Sequence, residues 1–95
     1  MKIEWTGDLD DDCKATSGNY TAHCEALFHA KIDGQKDTFW YAAVAHKDKP
    51  VYIFHSGDCG GSFCGGHLAR AVCEEIMWLA NERDKLKGAK NDGEG

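Results

Sequence analysis

The segment YTAHCEALFHAKI, residues 20–32, alternates apolar and polar side chains along most of its length. A period of two is typical of a strand with one buried face. The apolar face would carry Ala22, Cys24, Ala26, Phe28, Ala30 and Ile32. Leu27 breaks the pattern, because it is a large apolar residue at a polar position. The segment therefore predicts a long, half-buried strand.

Two more strands are predicted after this one. Asp33 and Gly34 begin a hairpin turn that ends near Asp37, and TFWYAAVAH follows at residues 38–46. The turn KDKP leads into VYIFH at residues 51–55. Consecutive strands with short connections form an antiparallel meander. Before the meander, KIEW at residues 2–5 also alternates and predicts a short first strand.

The last third of the chain predicts a helix. Its apolar residues recur at helical spacing and form one stripe that would cover the sheet: Leu68, Ala71, Val72, Ile76, Leu79 and Ala80. Lys85 and Lys87 would lie in the last turn, and Gly88 would end the helix. Residues 89–95 are predicted to be a flexible tail.

Together these elements predict a single α+β domain over residues 1–88, an antiparallel three- to four-stranded meander sheet packed on one C-terminal α-helix. Small strand residues would allow close packing of the helix: Ala22, Ala26, Ala30, Ala43 and Ala45. The other sheet face, with Trp40, Tyr52 and Phe54 as candidates, has no second helix to cover it. We expect that face to be an exposed aromatic surface, or to be buried in a homodimer or against a partner.

Composition narrows the classes of function. The chain of 95 residues has 16 acidic and 11 basic residues and a net charge of -5. This balance argues against direct binding of nucleic-acid phosphates and favours a partner with a basic surface. No apolar run reaches the length of a membrane span, and the N-terminal residues do not resemble a secretory signal. We therefore expect a cytoplasmic protein without membrane contact, whose five cysteines are mostly free thiols.

The glycine-rich stretch HSGDCGGSFCGGH, residues 55–67, permits a zinc site. His55, Cys59, Cys64 and His67 are ligand types that zinc prefers in tetrahedral sites. The spacing matches no familiar zinc finger, and the usual pair of cysteines two residues apart is missing. A small zinc-binding domain is therefore the alternative interpretation of the chain.

Two other interpretations apply to the same stretch. Cys59 or Cys64 could be a nucleophile with His55 or His67 as its base, although so small a domain leaves little room for a substrate pocket. The glycines could instead only turn the chain from the last strand into the helix, with Cys73 facing outward or towards the edge of the core. We favour the interpretation that the stretch only connects the last strand to the helix, which predicts no catalytic residues and no cofactor.

An acidic cluster precedes the meander. Asp8, Asp10, Asp11 and Asp12 are predicted to lie in a solvated loop, because clustered like charges repel one another. With Glu25 and Asp58 they could form a negative surface that imitates nucleic-acid phosphates and binds a basic groove of another protein. The candidate contact residues are Asp8, Asp10, Asp11, Asp12, Glu25, Trp40, Tyr52 and Asp58.

The overall plan of residues 2–87 resembles small phage-encoded anti-defence proteins, in particular anti-CRISPR proteins. The resemblance lies in the short acidic chain, the meander, and the alanine-containing helix HLARAVCEEIMWLA at residues 67–80. Members of that group share no common fold or sequence signature, so no residue roles are transferred. The resemblance implies a non-enzymatic inhibitor that binds a host protein or nucleoprotein complex and blocks its nucleic-acid or partner site.

Overall fold

The computed structural model describes residues 3–32, 34–57 and 61–93. This part of the chain forms one antiparallel sheet and one long helix, so the predicted α+β fold is confirmed. The elements in chain order are β1 (Thr6–Asp8), β2 (Asp12–Ser17), β3 (Tyr20–Ile32), β4 (Gln35–His46), β5 (Tyr52–His55), β6 (Phe63–Cys64) and α1 (Gly66–Gly93).

The sheet is larger than the predicted three or four strands. Its order is β1-β2-β3-β4-β5, with β6 beside β4 beyond the end of β5, which makes six strands among the described residues. The predicted meander is its central part, and β3 and β4 pair along nearly their whole length, from Tyr20 opposite His46 to Ile32 opposite Gln35. Sequence periodicity does not predict β6, because a strand of two residues is too short to show a period.

The acidic segment is a hairpin, so the prediction of a solvated loop there is wrong in part. Asp8 ends β1 and Asp12 begins β2, while Asp10 and Asp11 lie in the turn between them. The Asp10 backbone N–H donates to Asp8 Oδ1 at 2.9 Å, the side-chain contact that often stabilises such turns. Alternate residues of β2 are buried, starting with Cys13, and this burial holds the segment in the sheet. Of the first strand predicted at residues 2–5, residue 2 lies outside the described residues and residues 3–5 form no strand; the first described strand is β1.

A β-bulge at Leu27 changes which residues of β3 share a face. Ala26 lies opposite Trp40, but Phe28 lies opposite Phe39, so Leu27 is an extra residue on β3. Phe28 therefore follows Phe39 to the other side of the sheet from Ala26, where the two rings stack at 5.0 Å. The prediction that Phe28 shares the face of Ala22 is wrong for this reason.

The helix packs on the sheet through a narrower stripe than the one predicted. The buried helix residues are Ala69, Cys73, Met77 and Ala80, whereas Leu68 and Leu79 are 50% and 51% exposed. The strand residues beneath them are also mostly small, so the backbones of the two layers can approach closely. The apolar stripe predicted from the sequence is therefore rotated about the helix axis relative to the residues that contact the sheet. The helix also continues beyond Gly88, where the sequence predicted its end, to Gly93.

The second half of α1 is fastened to the turn between β2 and β3. Asn81 Nδ2 donates to the Ser17 carbonyl at 2.9 Å, and the Asn19 backbone N–H donates to Asn81 Oδ1 at 3.4 Å. Gly18 has a φ of +59°, and a Cβ there would overlap the Asn81 amide. Glycine at this turn is therefore required both by the backbone and by the helix above it.

Tyr20 ties the start of β3 to the same part of the helix. Its hydroxyl donates to Asp84 Oδ2 at 2.6 Å and accepts from Arg83 Nη2 at 3.3 Å. The bond to Asp84, and then burial, raise the pKa of Tyr20. A phenol whose pKa is higher in the folded than in the unfolded state stabilises the protein below the unfolded value of about 10, and this contribution is lost as the pH rises through the folded-state pKa.

Tyr20→Phe is therefore expected to lower the free energy of unfolding by about 1–2 kcal/mol at pH 7, because the variant loses a hydrogen bond to a charged group. The difference in the free energy of unfolding between wild type and variant should shrink as the pH rises above about 10. Urea denaturation at pH 7, 9 and 10.5 measures both effects, and Tyr52→Phe, at an exposed position, serves as the control. A difference in the free energy of unfolding that stays constant across this pH range would contradict the role assigned to the Tyr20 hydroxyl.

Candidate interaction surface on the open face of the sheet

The helix covers one face of the sheet, and we call the opposite face the open face. Ala22, Cys24, Ala42 and Val44 belong to the core beneath α1, so the residues between them on β3 and β4 point the other way. The strand register carries this alternation across the sheet. The larger side chains of the open face include Asp8, Asp12, Lys14, His23, Glu25, Phe28, Phe39, Tyr41, Tyr52, His55 and Cys64.

Three carboxylates form one row on this face. Asp8 lies directly opposite Asp12, and Asp12 lies directly opposite Glu25. All three are exposed. Directly opposite residues have Cβ atoms about 5 Å apart, and like charges at that distance destabilise a sheet. The Nε2 atom of His23 lies 2.6 Å from Asp12 Oδ1, within hydrogen-bond distance. We call Asp8, Asp12 and Glu25 the acidic row.

Aromatic side chains continue the open face on both sides of the row. Tyr41 is directly opposite Glu25, and its ring centroid lies 6.4 Å from that of His55. Tyr52 is 63% exposed, with its ring 5.8 Å from His55. The stacked pair Phe28 and Phe39 lies beyond the bulge. The face thus combines negative charge with broad aromatic groups.

Trp40 does not belong to the open face, and its prediction as an exposed contact residue is wrong. It is only 3% exposed and lies under the start of α1. The Arg70 guanidinium lies 5.8 Å from the centre of its ring. Gly66 is at the same contact, where a Cβ would approach the ring to 2.9 Å. Its place follows from the register, since Trp40 is opposite Ala26 on the face that the helix covers.

The other predicted contact residues divide into three groups. Asp8, Asp12, Glu25 and Tyr52 come together on the open face. Asp10 and Asp11 lie in the turn at its edge, exposed to solvent. Asp58 lies outside the described residues. Phe54, a further candidate for this face, is opposite Val44 and packs against the core on the helix side.

The four residues of the zinc interpretation do not share one side of the sheet. His55 is on the open face, whereas His67 lines a groove on the helix side together with His29, Trp40 and Arg70. Cys64 is exposed in β6, opposite Phe39, and Cys59 lies outside the described residues. Within residues 3–32, 34–57 and 61–93, no group of three or more histidine, cysteine or acidic side chains could hold a metal ion. The zinc site gains no support from this part of the chain and stays a prediction.

A cluster of three cysteines lies in the core, and the sequence did not reveal it. Cys13, Cys24 and Cys73 are all fully buried, so the prediction of Cys73 at the surface or the core edge is wrong. Cys13 is directly opposite Cys24, and Cys24 Sγ lies 3.8 Å from Cys73 Sγ. The contact with Cys73, followed by burial, raises the pKa of Cys24 strongly. Burial also raises the pKa of Cys13, although a hydrogen bond from Arg70 opposes it. Cys13 and Cys24 are therefore held in the neutral form.

The one helix among the described residues lacks the apolar length needed to cross a membrane. Comparison of the chain with protein-family models, curated proteins and solved structures gave no match. The case for a function therefore rests on the geometry of the open face.

Proposed function

We propose that the protein is a non-enzymatic binding protein whose open face docks on a basic surface of another protein or nucleoprotein complex. The observation that carries this proposal is the acidic row, three exposed carboxylates on neighbouring strands with aromatic side chains beside them. Complementary charge accelerates association and selects the partner, while aromatic groups contribute much of the affinity at protein interfaces.

The strands support the proposal by fixing where the charges lie. Strands in a sheet are about 4.8 Å apart, so the row presents its carboxylates at short, regular intervals. A side chain on a paired strand loses less freedom on binding than one on a mobile loop, and less of the binding energy is spent on ordering. The row also carries a repulsion that a positively charged partner would relieve.

The proposed partner class is a protein that normally binds nucleic acid. Such proteins present extended basic grooves that track phosphates, and an acidic sheet face can occupy the same groove. Together with the resemblance to anti-CRISPR proteins, this leads to a stoichiometric inhibitor of an RNA-guided nuclease complex in the host cytoplasm. The inhibitor would exclude the nucleic acid by occupying its site.

A charge-matched pair of variants tests the proposal. Asp8→Asn, Asp12→Asn and Glu25→Gln together neutralise the acidic row. Asp48→Asn, Glu75→Gln and Glu82→Gln together remove the same number of charges elsewhere on the molecule. A panel of purified RNA-guided nuclease complexes is incubated with wild type and with each triple variant. DNA cleavage and one-to-one binding by titration calorimetry are measured, with thermal melting to confirm that each variant is folded.

We expect wild type and the second triple variant to inhibit at least one complex at equimolar concentration. The acidic-row variant should bind that complex about 100-fold more weakly, since truncating groups in buried charged contacts costs roughly 2–5 kcal/mol at an interface. Binding by wild type should also weaken with rising salt. Equal inhibition by both triple variants, or no inhibition of any complex by wild type, would refute the proposal.

A further inference from the structure

The thiols of Cys24 and Cys73 bridge the two layers of the fold. Cys24 is on β3 and Cys73 is on α1, and their sulfurs are 3.8 Å apart in a fully buried position. The Cys73 thiol also lies 3.7 Å from the Ala43 carbonyl, which directs the side chain towards the sheet. Neither residue belongs to the open face.

We propose that Cys24 and Cys73 form a disulfide that links the helix to the sheet when the chain meets a small-molecule disulfide such as oxidised glutathione. A disulfide bond is about 2.05 Å long, so the sulfurs have to approach each other by roughly 1.8 Å. Both side chains already point at each other across the interface between the layers.

The reaction is a pair of thiol–disulfide exchanges. One protein thiolate attacks a sulfur of oxidised glutathione, which forms a mixed disulfide and releases one glutathione thiolate. The second protein thiolate then attacks the protein sulfur of the mixed disulfide and releases the second glutathione. The two protons lost by the protein thiols go to the two released thiolates. The protein is oxidised by two electrons, and one glutathione disulfide is reduced to two thiols.

Burial decides when this reaction takes place. Only the thiolate attacks a disulfide, and both thiols are hidden from solvent in the closed domain. The exchange therefore proceeds while α1 is away from the sheet, either during folding or during a transient opening. Once formed, the bond closes a loop between residues 49 positions apart and opposes any later separation of the layers.

Cys13 is the competing partner for Cys24. It lies directly opposite Cys24 on β2, and a bond between them would link two strands that are already paired. The observed sulfur–sulfur contact joins Cys24 to Cys73, which favours the bond between sheet and helix. The test below separates the two possibilities.

The experiment uses the full chain with Cys59→Ser and Cys64→Ser, which removes the two loop thiols and leaves the core cluster. The protein is refolded from urea with either reduced glutathione alone or a mixture rich in oxidised glutathione. Intact mass, peptide mapping and thermal melting follow. We expect a loss of about 2 Da, a peptide linking residues 24 and 73, and a melting temperature about 10–20 °C higher that dithiothreitol reverses.

Two further variants complete the test. In the same background, Cys13→Ala should retain the disulfide, whereas Cys73→Ala should show no rise in melting temperature with oxidised glutathione. Native protein should oxidise slowly, and low urea concentrations should accelerate the reaction. The proposal would be overturned by a linkage of residues 13 and 24, by a glutathione adduct without an internal disulfide, or by refolding with oxidised glutathione that leaves all three core thiols reduced.

Discussion

Trp40→Ala is expected to lower the free energy of unfolding by about 3–5 kcal/mol, the usual cost of removing a large buried aromatic side chain. The indole fills the space between the sheet and the first turn of α1, beneath Gly66 and Arg70. The buried helix residue of that turn is Ala69, whose methyl group is too small to refill the space. For a domain of this size the melting temperature should fall by about 15–30 °C.

Tyr52→Ala is the matched control, since it removes an aromatic ring from the open face. The side chain is 63% exposed, and we expect a loss below about 1 kcal/mol. Urea denaturation of both variants, followed by circular dichroism, measures the difference. Equal losses at the two positions would mean that Trp40 does not lie beneath the helix.

Met77→Ala is expected to cost about 2–5 kcal/mol, because Met77 is the largest of the fully buried side chains and its removal leaves a cavity between the layers. Leu79→Ala, two residues further along the helix, should cost less than about 1 kcal/mol, since half of that side chain is already in solvent. Leucine and methionine have similar helix propensities and similar sizes, so helix propensity contributes little to the comparison.

The order of the two losses in the free energy of unfolding tests which side of the helix faces the sheet. The apolar periodicity of the sequence places Leu79 against the sheet, whereas the structure places Met77 there. A larger loss for Leu79→Ala than for Met77→Ala would restore the sequence-based orientation. Denaturation midpoints with unchanged m-values would show that the loss arises from the folded state.

The strands of the meander could be predicted because local chemistry specifies them. The bounds predicted for β3 agree with the structure, since alternation holds for most of the strand and turn residues flank it. The helix could be predicted for the same reason. The period of the apolar residues, however, does not show which of them become buried against the sheet. Leu68 and Leu79 satisfy the helical period but stay half exposed, because mostly small residues form the buried contact.

Two features depend on pairing between distant residues and were therefore missed. The bulge at Leu27 exists only relative to β4, and it moves Phe28 to the face opposite the one that alternation assigned. The β1–β2 hairpin is stabilised by burial of alternate β2 residues against the helix layer, which outweighs the repulsion among its aspartates. Charge repulsion alone predicted a loop because it is a local argument.

The candidate site could be predicted only as a set of residue types. The sequence identified Asp8, Asp12, Glu25 and Tyr52, but the row that unites the first three depends on strand register. Trp40 was assigned to the same surface because it is aromatic. Neighbouring residues of a strand point to opposite faces, so Tyr41 lies on the open face and Trp40 lies on the face that the helix covers. Register is the information that single-sequence patterns lack.

The attachment of Asn81 to the turn after β2 has a consequence for biosynthesis. The strands of the sheet are all made before residues 69–84, which supply their cover and hold that turn. While the chain emerges from the ribosome, Ala22, Cys24 and Val44 therefore face water or a chaperone until the helix is complete. Residues 69–84 must be synthesised before the hydrophobic layer closes, so the sheet cannot bury its apolar face until this part of the helix has emerged.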